Sequence, residues 1–231
     1  MNRIMPAALL LLALAAPAGA ADRRLTVTEF DRVQVDGPFE VVVVTGRSTS
    51  ARVSGSVQAL DRVSVEVQGR LLRVRPNRSA WGGYPGEGVG PVRVELATHD
   101  LRGASISGSG SLSIDKARGL RFEAAVSGSA KLDLGRVEAD VLTLGLLGSG
   151  RIAVAGKVKS LRATIQGSGD LAAAGLAVDD AVVNADTSGK VALAVQRAAK
   201  ITATGSGNVE VAGSPACTVK SLGSGRVACG N

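Results

Sequence analysis

The sequence predicts an all-β protein: a right-handed β-solenoid, a β-helix-like stack of coils of about 19 residues with Gly-Ser-Gly corners. A short phrase centred on serine returns seven times in the second half at nearly constant spacing. On both sides of each phrase every second residue is apolar, which is the period of a strand with one buried face. Aromatic residues make up only 2% of the chain and glycines number 30, a composition that suits a narrow core of stacked small side chains.

The corners are predicted from the repeated phrase itself. A corner that returns in register needs a positive φ or a close approach of two backbones, and glycine meets both needs at little cost. A phosphate-binding loop would need a helix after the glycines, and no helical pattern follows them. The seven phrases are Gly108-Ser109-Gly110, Gly128-Ser129-Ala130, Gly148-Ser149-Gly150, Gly167-Ser168-Gly169, Thr187-Ser188-Gly189, Gly205-Ser206-Gly207 and Gly223-Ser224-Gly225.

The strands are predicted from apolar columns that appear when the seven phrases are aligned. The second residue after each phrase is always apolar, and positions two, four and six before it are apolar with few exceptions. Each period therefore predicts a strand, a corner, a second strand and a return segment of about six residues. The first of these columns contains Leu112, Leu132, Ile152, Leu171, Val191, Val209 and Val227.

Residues 1–20 are predicted to be a signal peptide, with basic Arg3, an apolar run over residues 4–16 and a small-residue cleavage site ending at Ala20. The apolar run is too short for a permanent membrane helix. Residues 21–231 are predicted to be a single exported domain, periplasmic or extracellular, with no transmembrane segment. Without Arg3 it carries 26 basic and 20 acidic residues.

Residues 25–100 predict irregular first coils and a cap, and residues 101–231 the regular repeats. Strand patterns occur at residues 33–35, 39–45, 51–54, 63–67, 71–75 and 92–96. A solenoid needs a closed end, because an open terminal coil exposes backbone donors and acceptors to edge-to-edge association. Hairpins within residues 25–100 are expected to supply that closure.

Residues 76–91 interrupt the strand pattern and are predicted to be a flexible loop. This loop contains Trp81 and Tyr84, the single Trp and single Tyr of the chain. Loops on rigid scaffolds carry many binding residues, and planar rings suit the faces of sugars, so this segment is a candidate ligand loop. The alternative is a surface insertion whose two rings fold back on the solenoid.

The two cysteines are predicted to form a disulfide. Cys217 and Cys229 both occupy inward columns of the last coil, on facing strands. Such positions come within disulfide reach, and an exported protein meets an oxidising compartment.

No catalytic, cofactor-binding or metal-binding residues are predicted. His99 next to Asp100 lacks the strand-turn-helix serine elbow of a hydrolase. A glycosidase-type mechanism needs two carboxyls held close together, and the sequence shows no obvious pair. A calcium site near residues 179–186 is a minor alternative. Nucleic-acid binding is not predicted either, because the basic residues are scattered and aromatic side chains are nearly absent. The acidic residues considered for chemistry are Glu138, Asp140, Asp179, Asp180 and Asp186.

The order of these segments resembles the bacterial head GIN domain family, an autotransporter-adhesin family that was formerly a domain of unknown function. The similarity covers roughly residues 25–229. It implies an extracytoplasmic β-solenoid with an adhesive or surface-binding role, and it brings no catalytic residues. The segments that carry it are Phe30-Asp31-Arg32-Val33-Gln34-Val35, Gly37-Pro38-Phe39-Glu40-Val41, Leu71-Leu72-Arg73-Val74 and the serial Gly-Ser-Gly phrases.

Together these observations predict a non-enzymatic exported binding or scaffold module, adhesin-like and placed in the cell envelope. Its expected partner is an envelope or surface component, either protein or polysaccharide, contacted along a rigid ladder of polar side chains. The alternative function is a carbohydrate-active enzyme of the β-helix type, a polysaccharide lyase or hydrolase. A groove with paired carboxylates would favour that alternative.

Overall fold

A computed structural model describes residues 21–77 and 90–230, which form one continuous sheet wound into a β-solenoid of about six turns. The predicted fold class is confirmed. The first half contains β1 (Ala21–Leu25), β2 (Arg32–Asp36), β3 (Glu40–Thr45), β4 (Ser50–Gly55), α1 (Val57–Leu60), β5 (Val63–Gln68), β6 (Leu71–Pro76) and β7 (Arg93–Thr98). The second half contains β8 (Gly103–Gly108), β9 (Ser111–Gly128), β10 (Lys131–Gly148), β11 (Arg151–Gly167), β12 (Asp170–Thr187), β13 (Lys190–Ala203), β14 (Asn208–Ala212), β15 (Ala216–Ser221) and β16 (Val227–Cys229).

Each regular coil has three sides. In β10 the parallel pairing with β9 covers residues 131–134, 136–139 and 141–148, and it is interrupted at Gly135 and Asp140. We call these stretches, and their equivalents in other coils, the first, second and third side. The second side is the part of the coil for which the sequence predicted only a return segment of about six residues, with no strand assigned. It pairs as a strand because Val137 and Ala139 alternate into the core, a pattern too short to separate from a loop by periodicity.

The core is a set of columns in which each apolar side chain stacks on its copies in the neighbouring coils. Leu132 pairs in register with Leu112 on one side and Ile152 on the other, and all three are buried. Burial of a Leu or Ile side chain contributes about 1.5–3 kcal/mol. The coil formed by β10 inserts Leu132, Leu134, Val137, Ala139, Leu142, Leu144 and Leu146.

The predicted corners lie along one edge of the solenoid. Gly128 pairs with Gly108 and with Gly148, which in turn pairs with Gly167. Between coils the chain closes this edge with backbone bonds, such as that from the N–H of Ser129 to the carbonyl oxygen of Gly108 at 2.8 Å. The seven corner serines are exposed.

Two constraints explain the corner glycines. Gly148 has φ +110°, a conformation that residues with a Cβ rarely adopt. At Gly150 the constraint is space, because an added Cβ would lie 2.5 Å from the carbonyl oxygen of Ala130. The second glycine of the other phrases also closes on the backbone of an adjacent coil, at Gly110, Gly169, Gly189, Gly207 and Gly225, as do Gly205 and Gly223 at the first position.

The second coil from the cap, made of β2 and β3, is out of sequence order. β2 pairs in parallel with both β6 and β8, and β3 pairs in parallel with both β7 and β9. The coil made of β2 and β3 is therefore inserted between the coil of β6 and β7 and the first regular coil. Its own corner is at Gly37, whose N–H donates to the carbonyl oxygen of Ser107 at 2.9 Å.

The cap consists of antiparallel strands that pair with the outermost coil, which is formed by β6 and β7. β5 pairs with β6, β4 pairs with β7, and β1 pairs with β4. The one-turn helix α1 begins after Ser56, whose hydroxyl accepts a hydrogen bond from the N–H of Ala59 at 3.2 Å. Ala59 and Leu60 are buried, so the helix covers part of the apolar end.

Candidate functional site

A shallow groove runs along the outer face of the third side. It consists of two adjoining depressions of about 380 Å³ and 320 Å³. We call it the third-side groove. The groove crosses five neighbouring strands, β2, β8, β9, β10 and β11. With strands spaced about 4.8 Å apart, its length is roughly 19 Å. The lining residues central to its shape are Arg32, Gly103, Ser105, Ala125, Gly145 and Thr164.

The groove exists because the central outward column of the third side contains small residues. Ala125 pairs with Ser105 on one side and with Gly145 on the other, and Gly145 pairs with Thr164. The rims offer hydroxyls and an amide from Thr143, Ser127 and Gln166 together with the exposed side chain of Leu147. Most of the groove lining is apolar and the polar groups stand on its rims. Such a surface suits an extended ligand that lays an apolar face on the floor and presents hydroxyl or amide groups to the rims.

Three arginines surround one buried carboxylate at the cap-proximal end of the groove. The Asp31 side chain is 7% exposed, and the Nε of Arg70 donates to its Oδ2 at 2.9 Å. The Nε atoms of Arg32 and Arg102 lie 3.7 Å and 3.9 Å from its two oxygens. These residues come together because Arg70, Asp31 and Arg102 directly precede β6, β2 and β8, which are adjacent in the sheet.

Three of the five acidic residues considered for catalysis, Glu138, Asp140 and Asp180, are held in ion pairs. Glu138 contacts Arg118 at 3.0 Å and Arg136 at 2.7 Å, and Asp140 contacts Lys159 at 2.8 Å. The hydrogen bond from Lys159 to Asp140 raises the pKa of the Lys159 ammonium.

Asp180 pairs with Arg197 in the next coil. Within residues 21–77 and 90–230, no cluster of three or more His, Cys, Asp or Glu side chains is placed to hold a metal ion. The predicted calcium alternative near residues 179–186 therefore gains no support. His99 is exposed at the end of β7.

The disulfide predicted in the last coil is present. Cys217 in β15 and Cys229 in β16 are bonded, with their Cα atoms 6.4 Å apart. All six residues of β15 are exposed, so in this coil the crosslink joins two strands that share little apolar burial. Trp81 and Tyr84, the predicted ligand loop, lie outside the described residues.

Sequence reasoning missed both the groove and the arginine cluster. The groove had a signal, because Ala125 and Gly145 break the polar outward column in consecutive coils. The cluster had none, because Arg70 and Asp31 are far apart in sequence and meet only through the insertion of the β2–β3 coil.

The geometry defines a class of protein: a β-solenoid with a shallow, mainly apolar groove along one side and a cationic cluster at one end of it. Residues 29–215 match the family model described as "Putative auto-transporter adhesin, head GIN domain". The chain therefore belongs to the head GIN domain family, as the sequence resemblance indicated.

Solved structures of similar fold include a protein from Bacteroides fragilis described as a "putative adhesin", with TM-score 0.80, 16% identity, and coverage of 90% of this chain and 96% of that one. A "putative lipid binding protein" from Parabacteroides distasonis has TM-score 0.74, 21% identity and coverage of 91% and 96%. A "putative adhesin" from Parabacteroides merdae has TM-score 0.71, 18% identity and the same two coverages. No curated protein matches the chain.

The family and the disulfide are those of an exported protein. In the part of the chain that the structure describes, no helix has the length and apolar character needed to cross a bilayer.

Proposed function

We propose that this protein is an exported, non-enzymatic, adhesin-like module that binds an extended component of the cell envelope along the third-side groove. The observation that supports it best is the continuity of the groove across neighbouring coils, since Ser105, Ala125, Gly145 and Thr164 line both of its depressions. An extended chain can lie along such a surface and cross one strand of each coil in turn, with hydroxyls and an amide on the rims at Ser127, Thr143 and Gln166.

Rigidity favours this function. The groove floor is built from parallel strands whose backbone groups are already paired, so little conformational entropy is lost when a ligand binds. Many weak contacts in a fixed register then add up along one ligand. The family membership and the adhesin descriptions of similar structures agree with a surface-binding role.

The enzyme alternative has less support. The acidic residues at positions 138, 140 and 180 are neutralised by Arg or Lys partners. A general acid and base of glycosidase type would need two carboxyls facing one substrate bond, separated by roughly 5–10 Å. Release of reducing ends from envelope polysaccharide by the purified protein would establish the enzyme alternative.

The proposed function is tested by site-specific photocrosslinking in intact envelopes. A photoreactive residue is placed at Ala125 in the groove or at Ala172, an outward position on the first side. We expect a defined adduct from position 125 that is absent from position 172. Gly145→Tyr should fill the groove and reduce the adduct at least about tenfold, since the site would lose its shape complementarity.

Gly145→Tyr is a suitable blocking variant because the Gly145 φ is not positive and an added Cβ would meet only the Ala125 Cβ, at 3.9 Å. Ala172→Tyr is the matched control and should leave the adduct unchanged. Equal adducts from positions 125 and 172, or an adduct that survives Gly145→Tyr, would contradict binding in the groove.

A further inference from the structure

We propose that Arg32, Arg70 and Arg102 form a binding site for a phosphate monoester, organised by the buried Asp31 carboxylate. The inference rests on the proposed function and deepens it, because Arg32 also lines the third-side groove. The ligand of the groove would then be anchored at the cap-proximal end by an anionic group, carried either by a polysaccharide or by a lipid headgroup.

The three arginine side chains are held around a single carboxylate. Each of the three contacts Asp31 through its Nε atom, at 3.7, 2.9 and 3.9 Å for Arg32, Arg70 and Arg102. The terminal Nη groups make no hydrogen bond to any residue within 21–77 and 90–230. The three side chains are 66%, 56% and 73% exposed, so these donors are accessible to a ligand.

The backbone fixes the position of Asp31, and Gly103 leaves space for the side chain of Arg32. Asp31 cannot move far, because its N–H donates to the carbonyl of Arg70 at 3.0 Å and its own carbonyl accepts from Arg102 at 2.7 Å. The side chain of Arg32 lies over Gly103, where an added Cβ would meet its Cγ at 3.5 Å. Because glycine has no side chain, Arg32 can extend over Gly103 along the groove. The backbone hydrogen bonds of Asp31 fix the positions of Arg70 and Arg102.

The cluster carries a net positive charge. Three guanidiniums and one carboxylate leave two positive charges that the protein does not neutralise within the cluster. The charged residues next along the ladder are Arg73, in register with Gln34, and Glu123, in register with Gly103, which carry one charge of each sign. A phosphate monoester carries about −1.5 to −2 charges at neutral pH, and its oxygens match the forked donors of arginine. A monoester would therefore neutralise the cluster, whereas a single carboxylate would leave one charge.

The experiment measures binding of two probes to the purified protein. Glucose 1-phosphate is titrated with the chemical shifts of the arginine side chains as the readout. Phosphatidylcholine vesicles with and without phosphatidic acid are tested by co-sedimentation. We expect saturable binding of at least one phosphate probe. Binding of the sugar phosphate alone would assign the anchor to a polysaccharide, and binding of the vesicles alone would assign it to a lipid headgroup. Failure of both probes would overturn the site.

The double variant Arg70→Gln/Arg102→Gln should weaken binding at least about tenfold, because it removes two guanidiniums that can donate charge-assisted hydrogen bonds to the phosphate. Arg118→Gln/Arg136→Gln is the matched control, since it removes the same charge from a pair of exposed arginines around Glu138. It should change binding less than about twofold at moderate salt. An equal loss in both double variants would reduce the site to general electrostatics and overturn the proposal.

Asp31→Asn separates positioning from charge. It makes the cluster more positive, so general attraction predicts tighter binding, whereas loss of the organising carboxylate predicts weaker binding; we expect the latter. Glu123→Gln, at an exposed site, should instead tighten binding by about two- to threefold through reduced repulsion. If both phosphate probes fail while the Ala125 adduct still forms, this inference falls and the proposed function stands. If the Ala125 adduct does not form while phosphate binding is observed, the proposed function falls and this inference stands.

Discussion

Gly145 and Gly148 lie three residues apart in β10 and are constrained differently. Gly148 forms the corner, with φ +110°, and an added Cβ would lie 2.6 Å from the carbonyl oxygen of Gly128. Gly145 lies in the extended part of the third side, and an added Cβ would make only an ordinary van der Waals contact, with the Cβ of Ala125 at 3.9 Å. The first glycine is required by the backbone, and the second leaves space for the groove.

This difference predicts opposite effects of the same substitution on stability. Gly148→Ala should lower the free energy of unfolding by about 1–3 kcal/mol, since it forces a residue with a Cβ into a left-handed conformation. Gly145→Ala should be neutral or raise it by up to about 1 kcal/mol, because alanine loses less backbone entropy on folding. Urea denaturation of both variants checks the pair. Similar destabilisation by both would show that the corner geometry is not the constraint.

At the scale of the element, the last coil differs from those before it. Coils such as that of β10 are covered on both sides by stacked apolar columns, whereas β15 is exposed at every residue and Val219 and Leu222 face solvent. Its hydrophobic burial is therefore small. The disulfide between Cys217 and Cys229 closes a loop across a sequence separation of 12 and compensates by restricting the unfolded coil.

Replacing both cysteines by serine should destabilise this coil by on the order of 2–3 kcal/mol. Because stability in a stacked repeat is largely local, the effect should be confined to β15, β16 and their neighbours. Hydrogen exchange should show faster exchange of the amides of β15, with amides of β10 and β11 unchanged. Reduction of the unmodified protein should reproduce the result. A uniform increase across all coils would contradict local stabilisation.

The repeated strands, the corners and the disulfide could be predicted from the sequence. The second side of each coil and the contacts between distant segments could not. The columns through Leu132 and Leu142, the corner phrases and the disulfide follow from local periodicity, because each repeat carries the same information as its neighbours. The second side was missed, because Val137 and Ala139 provide too few alternations. The Asp31 cluster depends on pairing between distant segments, and no local pattern encodes it.

At the scale of the whole molecule, β9 and β10 keep a constant register offset along their length, whereas β10 and β11 change register once, between Leu134 and Val137. Lys131 pairs with Ser111 and with Arg151, so removal of one complete coil would bring Arg151 opposite Ser111. Every column would then close again with equivalent residues.

Deletion of residues 131–150 should therefore give a folded β-solenoid with a lower denaturation midpoint, because one layer of buried apolar side chains is lost. Deletion of residues 141–150 alone should prevent cooperative folding, since it removes the third side and its corner but keeps the other two. Circular dichroism and urea denaturation distinguish the two proteins. Equal folding of both deletions would show that complete coils are not the structural unit.

The inserted coil of β2 and β3 has a consequence for how the chain reaches its native state. The strands β2 and β3 gain one neighbour each from β6 and β7 and the other from β8 and β9. Winding therefore cannot advance layer by layer from the N-terminal end of the domain. The early segment must wait for later ones, which makes this seam the slow, long-range step of assembly, while the downstream coils close through near-neighbour contacts.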